Sequence, residues 1–463
     1  MVADFSSLLG RYVAAGQVAG AAVGMLQRGQ MHLFADGCAN LNSGTPMTID
    51  TRWLLGSVTK VLTAQLVLQF ANAGHFDLDD PVQSIIGDFT LQDKAAASQI
   101  TFRHLISHMN GIDSDTYAPH TDDYLYASQH YLDGLRGLGV LFTPGQNVHY
   151  SNPGFIIAAR ILEIISGRNF NQLLEQDLFG PLGMAGSTTR VEEAALHNLA
   201  IGAFADGDGL RATPNLLSEA CGAGAGTTAI TTLEDMLCYA SHHLLDGKDG
   251  GGIDRAIVAA MAAQQLVSPC VTAVMPGLGW WINDVGGHKC LSHGGGSPGG
   301  VSHFVVIPSL DLALISFATG PGAVQFHDDV LFAALGDLSI DVPVPQFGQP
   351  SSDLSAFAGV YGGFQARHDV VVDGGGLTMI SSVPPYDAEH EQFLRNYYGG
   401  IPAPVTRRLV PFGRDCFVVE GTDPTVLAGL LGNAALYGFE RDLEGTVMGM
   451  RNGARYSRKE VAV

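Results

Sequence analysis

Residues 58–74 form a helix-length stretch that is apolar on most sides, broken mainly by Gln65 and Gln69. A helix without a polar face belongs inside a domain, with other layers packed around it. The chain has 463 residues, too many for one ordinary core, so two domains or one domain with an insertion are expected.

The pattern along the chain divides that length. Residues 19–35 read as two short strands around a turn at Arg28-Gly29-Gln30. Helical patterns follow at 101–108, 153–166 and 170–179, punctuated by Pro144-Gly145, Gly180-Pro181 and the 222–228 stretch. Strands are expected at 278–283, 301–307 and 312–318. Residues 339–350 carry three prolines and no periodicity, as a linker does. Beyond them, short strands at 368–372, 377–380, 416–419 and 437–439 predict an all-β end. The expected architecture is an α/β (α+β) domain over 1–338, a linker over 339–350 and a smaller β domain over 351–463.

Charge narrows the partners. Acidic residues outnumber basic ones 45 to 24, giving a net charge of −21 that argues against nucleic acid or an anionic membrane. A neutral or cationic small molecule or a peptide fits better, and a homo-oligomer is compatible. The amino terminus lacks a secretory pattern and no apolar run approaches a bilayer span, so a cytoplasmic location is expected. A secreted form trimmed of its signal would read the same way. The six cysteines are scattered without a C-x-x-C pair, which predicts neither a zinc site nor a disulfide scaffold. No cofactor is expected.

Three segments could carry chemistry. Ser57 and Lys60 are three apart where a loop enters the apolar helix, so hydroxyl and amine can share a face. A serine needs a nearby base, and a lysine serves if its surroundings populate the neutral amine. Lys60 is one of only five lysines and the one that begins an apolar helix. Tyr150-Ser151-Asn152 offers a phenol to relay a proton and an amide to hold a carbonyl, although Asn152 could simply cap the next helix. His293-Gly294-Gly295-Gly296 sets a histidine beside glycines of the kind that permit close backbone approach.

Taken in this order, S-x-x-K, Y-x-N and H-G-G resemble the penicillin-recognising serine hydrolases: class C beta-lactamases, DD-peptidases and their esterase and D-aminopeptidase relatives. Ile100–Gly111 and the Phe179–Met184 turn resemble further segments of that family. The resemblance covers roughly residues 8–325 and implies a beta-lactamase/transpeptidase-like core, with an antiparallel sheet built from both ends of the region and a helical subdomain between. It implies acylation of Ser57, proton transfers shared by Lys60 and Tyr150, and Asn152, His293 and Gly295 around the substrate. The N–H groups of Ser57 and Gly296 would form the oxyanion hole. Phe357–Gly362 resembles the lipocalin-like modules appended to some members. His-Gly-Gly replaces the Lys-Thr-Gly of many members, which ranks esters, amides and D-amino-acid peptides above beta-lactams. Acyl transfer, peptide cyclisation and non-hydrolytic ligand binding remain alternatives.

Other motifs compete weakly. Gly295-Gly296-Ser297-Pro298-Gly299 matches the α/β-hydrolase elbow but is followed by a strand pattern instead of a helix. His104 and His108 have metal-ligand spacing without a third ligand, and His242-His243 reads as a solvated surface pair.

Overall fold

The computed structural model describes residues 3–460 apart from 114–123, 217–219, 245–252, 268–271, 273, 364–365, 386, 399 and 432–434. Its centre is an eight-stranded antiparallel sheet. The strands are β1 (Gly20–Gln27), β2 (Gln30–Asn40), β3 (Thr45–Pro46), β4 (Met275–Pro276), β5 (Trp281–Val285), β6 (His288–Ser297), β7 (Gly300–Ile307) and β8 (Leu312–Thr319). They lie in the order β3-β2-β1-β8-β7-β6-β5-β4, so strands from the two ends of the region meet where β1 pairs with β8. The β1–β2 hairpin closes at Arg28 and Gly29, both at positive φ, as the sequence led one to expect.

Alternation along β1 explains why it sits in the middle. Ala21, Val23 and Met25 face a core shared with α1 (Phe5–Ala14), while Ala22 and Leu26 face the opposite core. A strand apolar on both faces needs a layer on each. Helix α2 (Thr59–Asn72) belongs to the second core and is buried from Thr59 through Leu68. The expected helix over 153–166 is α3 (Asn152–Ser166); that over 170–179 is a short α-turn at Phe170–Leu173 continued by a π-helical stretch, Leu174–Phe179.

From Gly359 onward eight strands close into a barrel. They are β9 (Gly359–Gly362), β10 (Arg367–Asp373), β11 (Gly376–Ser382), β12 (Val405–Gly413), β13 (Cys416–Val419), β14 (Leu436–Arg441), β15 (Val447–Asn452) and β16 (Arg455–Lys459). Its core holds Phe357, Tyr361, Phe417 and Phe439. One element departs from the all-β expectation: helix α4 (Ala388–Tyr398) is inserted between β11 and β12. Its buried His390 and Leu394 lie one turn apart, and that spacing was not read from the sequence. Among the described residues no helix is long and apolar enough to cross a membrane.

Residues 340–350 have no regular structure, but the barrel does not hang free. The Tyr150 N–H donates to the Ala454 carbonyl (2.9 Å) and the Tyr456 N–H to His149 Nδ1 (3.1 Å). Arg451 binds Asn147 (2.7 Å) and also Glu440 (2.8 Å), within the barrel. The β15–β16 hairpin is thus zipped to the loop that carries Tyr150.

Candidate active site

Gly56 lets the chain turn into the serine. It has φ +63°, and a Cβ there would lie 2.6 Å from the Gly296 carbonyl oxygen. A short 3-10 turn, Gly56–Val58, leads directly into α2 and sets Ser57 at its mouth. Lys60 Nζ donates to Ser57 Oγ (3.0 Å) and to the Ala225 carbonyl (2.6 Å). Lys60 has no exposed surface, and an amine in that position needs such partners to offset lost hydration.

Tyr150 stands beside this pair, its ring 4.9 Å from Lys60 Nζ. Ser151 caps α3 through the Gly154 N–H (3.2 Å), so capping falls to Ser151 and Asn152 is buried at the cleft wall. His108 anchors the segment. It accepts the Ser151 N–H at Nδ1 (2.9 Å) and stacks between Tyr150 (4.8 Å) and Trp281 (4.7 Å). Asn110 accepts from Ser151 Oγ (3.1 Å) and from the Ile112 N–H (3.0 Å), which accounts for an amide at that position.

His293 lies on β6 itself, not in a loop between strands. Its Nδ1 bonds the Gly294 carbonyl (2.6 Å), which places the proton there and leaves the lone pair on Nε2. Burial and then the Lys60 charge push its pKa down to about 3, so the ring is neutral. His108 is likewise held well below the usual range, by burial first and then by the charges around it. The glycines after His293 allow contact between backbones: a Cβ on Gly295 would sit 2.3 Å from the Leu55 carbonyl oxygen.

Ser57, Tyr150, Asn152, His293 and Gly296 all line one cleft of about 580 Å³, and Lys60 bonds Ser57 from behind it. The structure therefore brings the expected residues together, with Gly295 supporting them from behind. It adds Arg455 from the barrel, whose guanidinium lies 4.6 Å over the Tyr150 ring and donates to the Tyr150 carbonyl (3.3 Å). Sequence reasoning missed Arg455 and Trp281, and treated His108 as structural. The I-S-H-M-N-G segment held the one available signal for His108. Ser297 ends β6 in a hairpin and pairs with Gly300, which rules out an elbow. His243 is buried against Tyr239 and Trp280, correcting the surface reading. Among the described residues no cluster of three ligands for a metal is present.

The model of the Beta-lactamase family matches residues 5–336. The chain belongs to that family. It is 30% identical over 358 residues to penicillin-binding protein 4 of Amycolatopsis lactamdurans, covering 74% of this chain and 93% of that protein. It is also 26% identical to the unguisins hydrolase ungD' of Aspergillus campestris, over 64% of this chain and 58% of that protein's length. The crystal structure of SurE shares the fold with a TM-score of 0.72, 23% identity and 98% coverage of both chains, barrel included. As a member of the family the chain is a serine hydrolase working through an acyl-enzyme.

Proposed function

We propose that Ser57 is the nucleophile and that the enzyme acts on ester or amide bonds of small molecules or D-amino-acid-containing peptides. The contact between Lys60 Nζ and Ser57 Oγ inside the cleft carries this reading. Lys60, as the neutral amine, takes the hydroxyl proton as Oγ bonds to the substrate carbonyl carbon and the C=O pair moves to oxygen. The N–H groups of Ser57 and Gly296 receive that oxyanion, a role supported by the close passage of β6 along Leu55–Ser57. Tyr150 and Lys60 return the proton to the departing alcohol or amine, and water then releases the acid. Asn152 holds a substrate carbonyl, and His293 offers a neutral acceptor to the cleft wall.

Arg455 supplies the cation that the His-Gly-Gly segment lacks, and we assign it to a substrate carboxylate. The size of the cleft favours one second reading, acyl transfer to an amine bound beside the acyl-serine. Domain limits of 1–338 and 351–463 complete the proposal, the barrel serving as a lipocalin-like wall of the site.

The test is a fluorophosphonate probe with mass-spectrometric mapping. Label is expected on Ser57, with Ser57→Ala unlabelled, folded and inactive. Full activity in Ser57→Ala overturns the assignment.

A further inference from the structure

The cleft extends from Ser57 to residues of the barrel domain. From Tyr150 and Arg455 it continues into the barrel domain, where Val383, Leu394, Tyr398, Tyr437 and Met450 line it. Helix α4 contributes one face to this lobe, since His390, Leu394 and Tyr398 follow one another at intervals of four. Its opposite side carries the exposed Glu391–Arg395 pair. Among the described residues lining the whole cleft, Asp113 is the one carboxylate and Arg455 the one guanidinium. Asp113 lies at the seam with Gly363, and Arg455 at the reactive end. His368, bonded to Ser381 (2.8 Å), is pushed down to about 4 by burial and Arg407, so it adds no charge. Leu431 closes the near side, with its side chain 3.1 Å from where a Cβ on Gly294 would stand.

We propose that this barrel-side lobe is a binding subsite for a bulky apolar group of the substrate, attached on one side of the bond that Ser57 attacks. The inference rests on the Ser57 reading and deepens it. A lobe lined by these apolar side chains and continuous with the nucleophile rewards apolar length, and the whole cleft of about 580 Å³ suits a ligand of drug or oligopeptide size. The helix inserted between β11 and β12 gives the barrel a reason to be where it is: it forms the far wall of the substrate site.

Two ester series test this on the full chain, one lengthening the acyl group from acetate to octanoate, the other lengthening the alcohol. In one series kcat/KM is expected to rise about threefold per methylene over the first few, the increment that apolar burial supplies. Val383→Asp is expected to flatten that slope, lowering the octyl-to-methyl preference at least tenfold. Tyr398→Ala, at the rim, should reduce it less. Labelling of Ser57 by fluorophosphonate in each variant shows that the site is folded. Flat dependence in both series, with Ser57 labelled, overturns the lobe and leaves the nucleophile standing. Loss of labelling and turnover in the unaltered protein overturns the Ser57 reading itself.

Discussion

Arg455 and His108 illustrate how much of a site is decided by single side chains that carry no motif. Arg455→Gln should raise KM for a carboxylate-bearing ester about tenfold to a hundredfold, the range of a charge-assisted bond, and alter a neutral ester much less. Steady-state kinetics on the two esters checks this, and equal effects on both would remove the carboxylate assignment. At this scale the sequence was informative about which groups the fold gathers. Ser57, Lys60, Tyr150, Asn152 and His293 stand in three short segments whose spacing is itself the signal. Arg455 was invisible because an arginine at a hairpin tip looks like any solvated cation until the fold lays it across Tyr150. His108 carried a weaker cue, and its use as an acceptor for the Ser151 N–H belongs to tertiary structure alone.

At the scale of elements, strand β6 is what brings the third segment to the first. Its glycines let the strand run against the 55–57 backbone at a separation no side chain tolerates. Gly295→Ala would place a methyl group 2.3 Å from both the Leu55 carbonyl and Ser302 Oγ. We expect turnover to fall about a hundredfold, the cost of an ångström-scale misplacement, with a stability loss of about 1–3 kcal/mol. Urea unfolding alongside kinetics separates the two effects, and wild-type rates would show that the contact is slack. Elements marked by a long apolar run or a clear turn were legible beforehand, such as α2 and the β1–β2 hairpin. The segment around His293 was not, because glycines carry no hydrophobic alternation and a strand made of them reads as a loop. Helix α4 escaped for a similar reason, its buried face being reduced to a few positions within a polar stretch.

The whole molecule keeps several histidines out of water, and this shapes its response to acid. His243 and His293 are pushed down to about 3, and His327 and His368 to about 4, each chiefly by burial. The unfolded chain binds protons at these residues near the ordinary value of 6.5, whereas the folded chain does not. Stability is therefore complete above about 6.5 and declines as pH falls from there toward 4. Urea midpoints measured between pH 8 and pH 4.5 should drop over that window, and a constant midpoint would contradict neutral burial. At the same scale, cutting the chain near residue 345 should lower turnover about a hundredfold or more, because Arg455 and the zipper onto residues 147–150 leave together. A truncated protein with full activity would make the barrel dispensable.

The contacts between residues 147–150 and 451–456 span about three hundred positions of chain. A polypeptide emerging from the ribosome presents Tyr150 long before the hairpin that holds its segment exists. Synthesis thus carries its own delay, with the wall of the cleft beside Tyr150 left unfinished until nearly the whole barrel has been made.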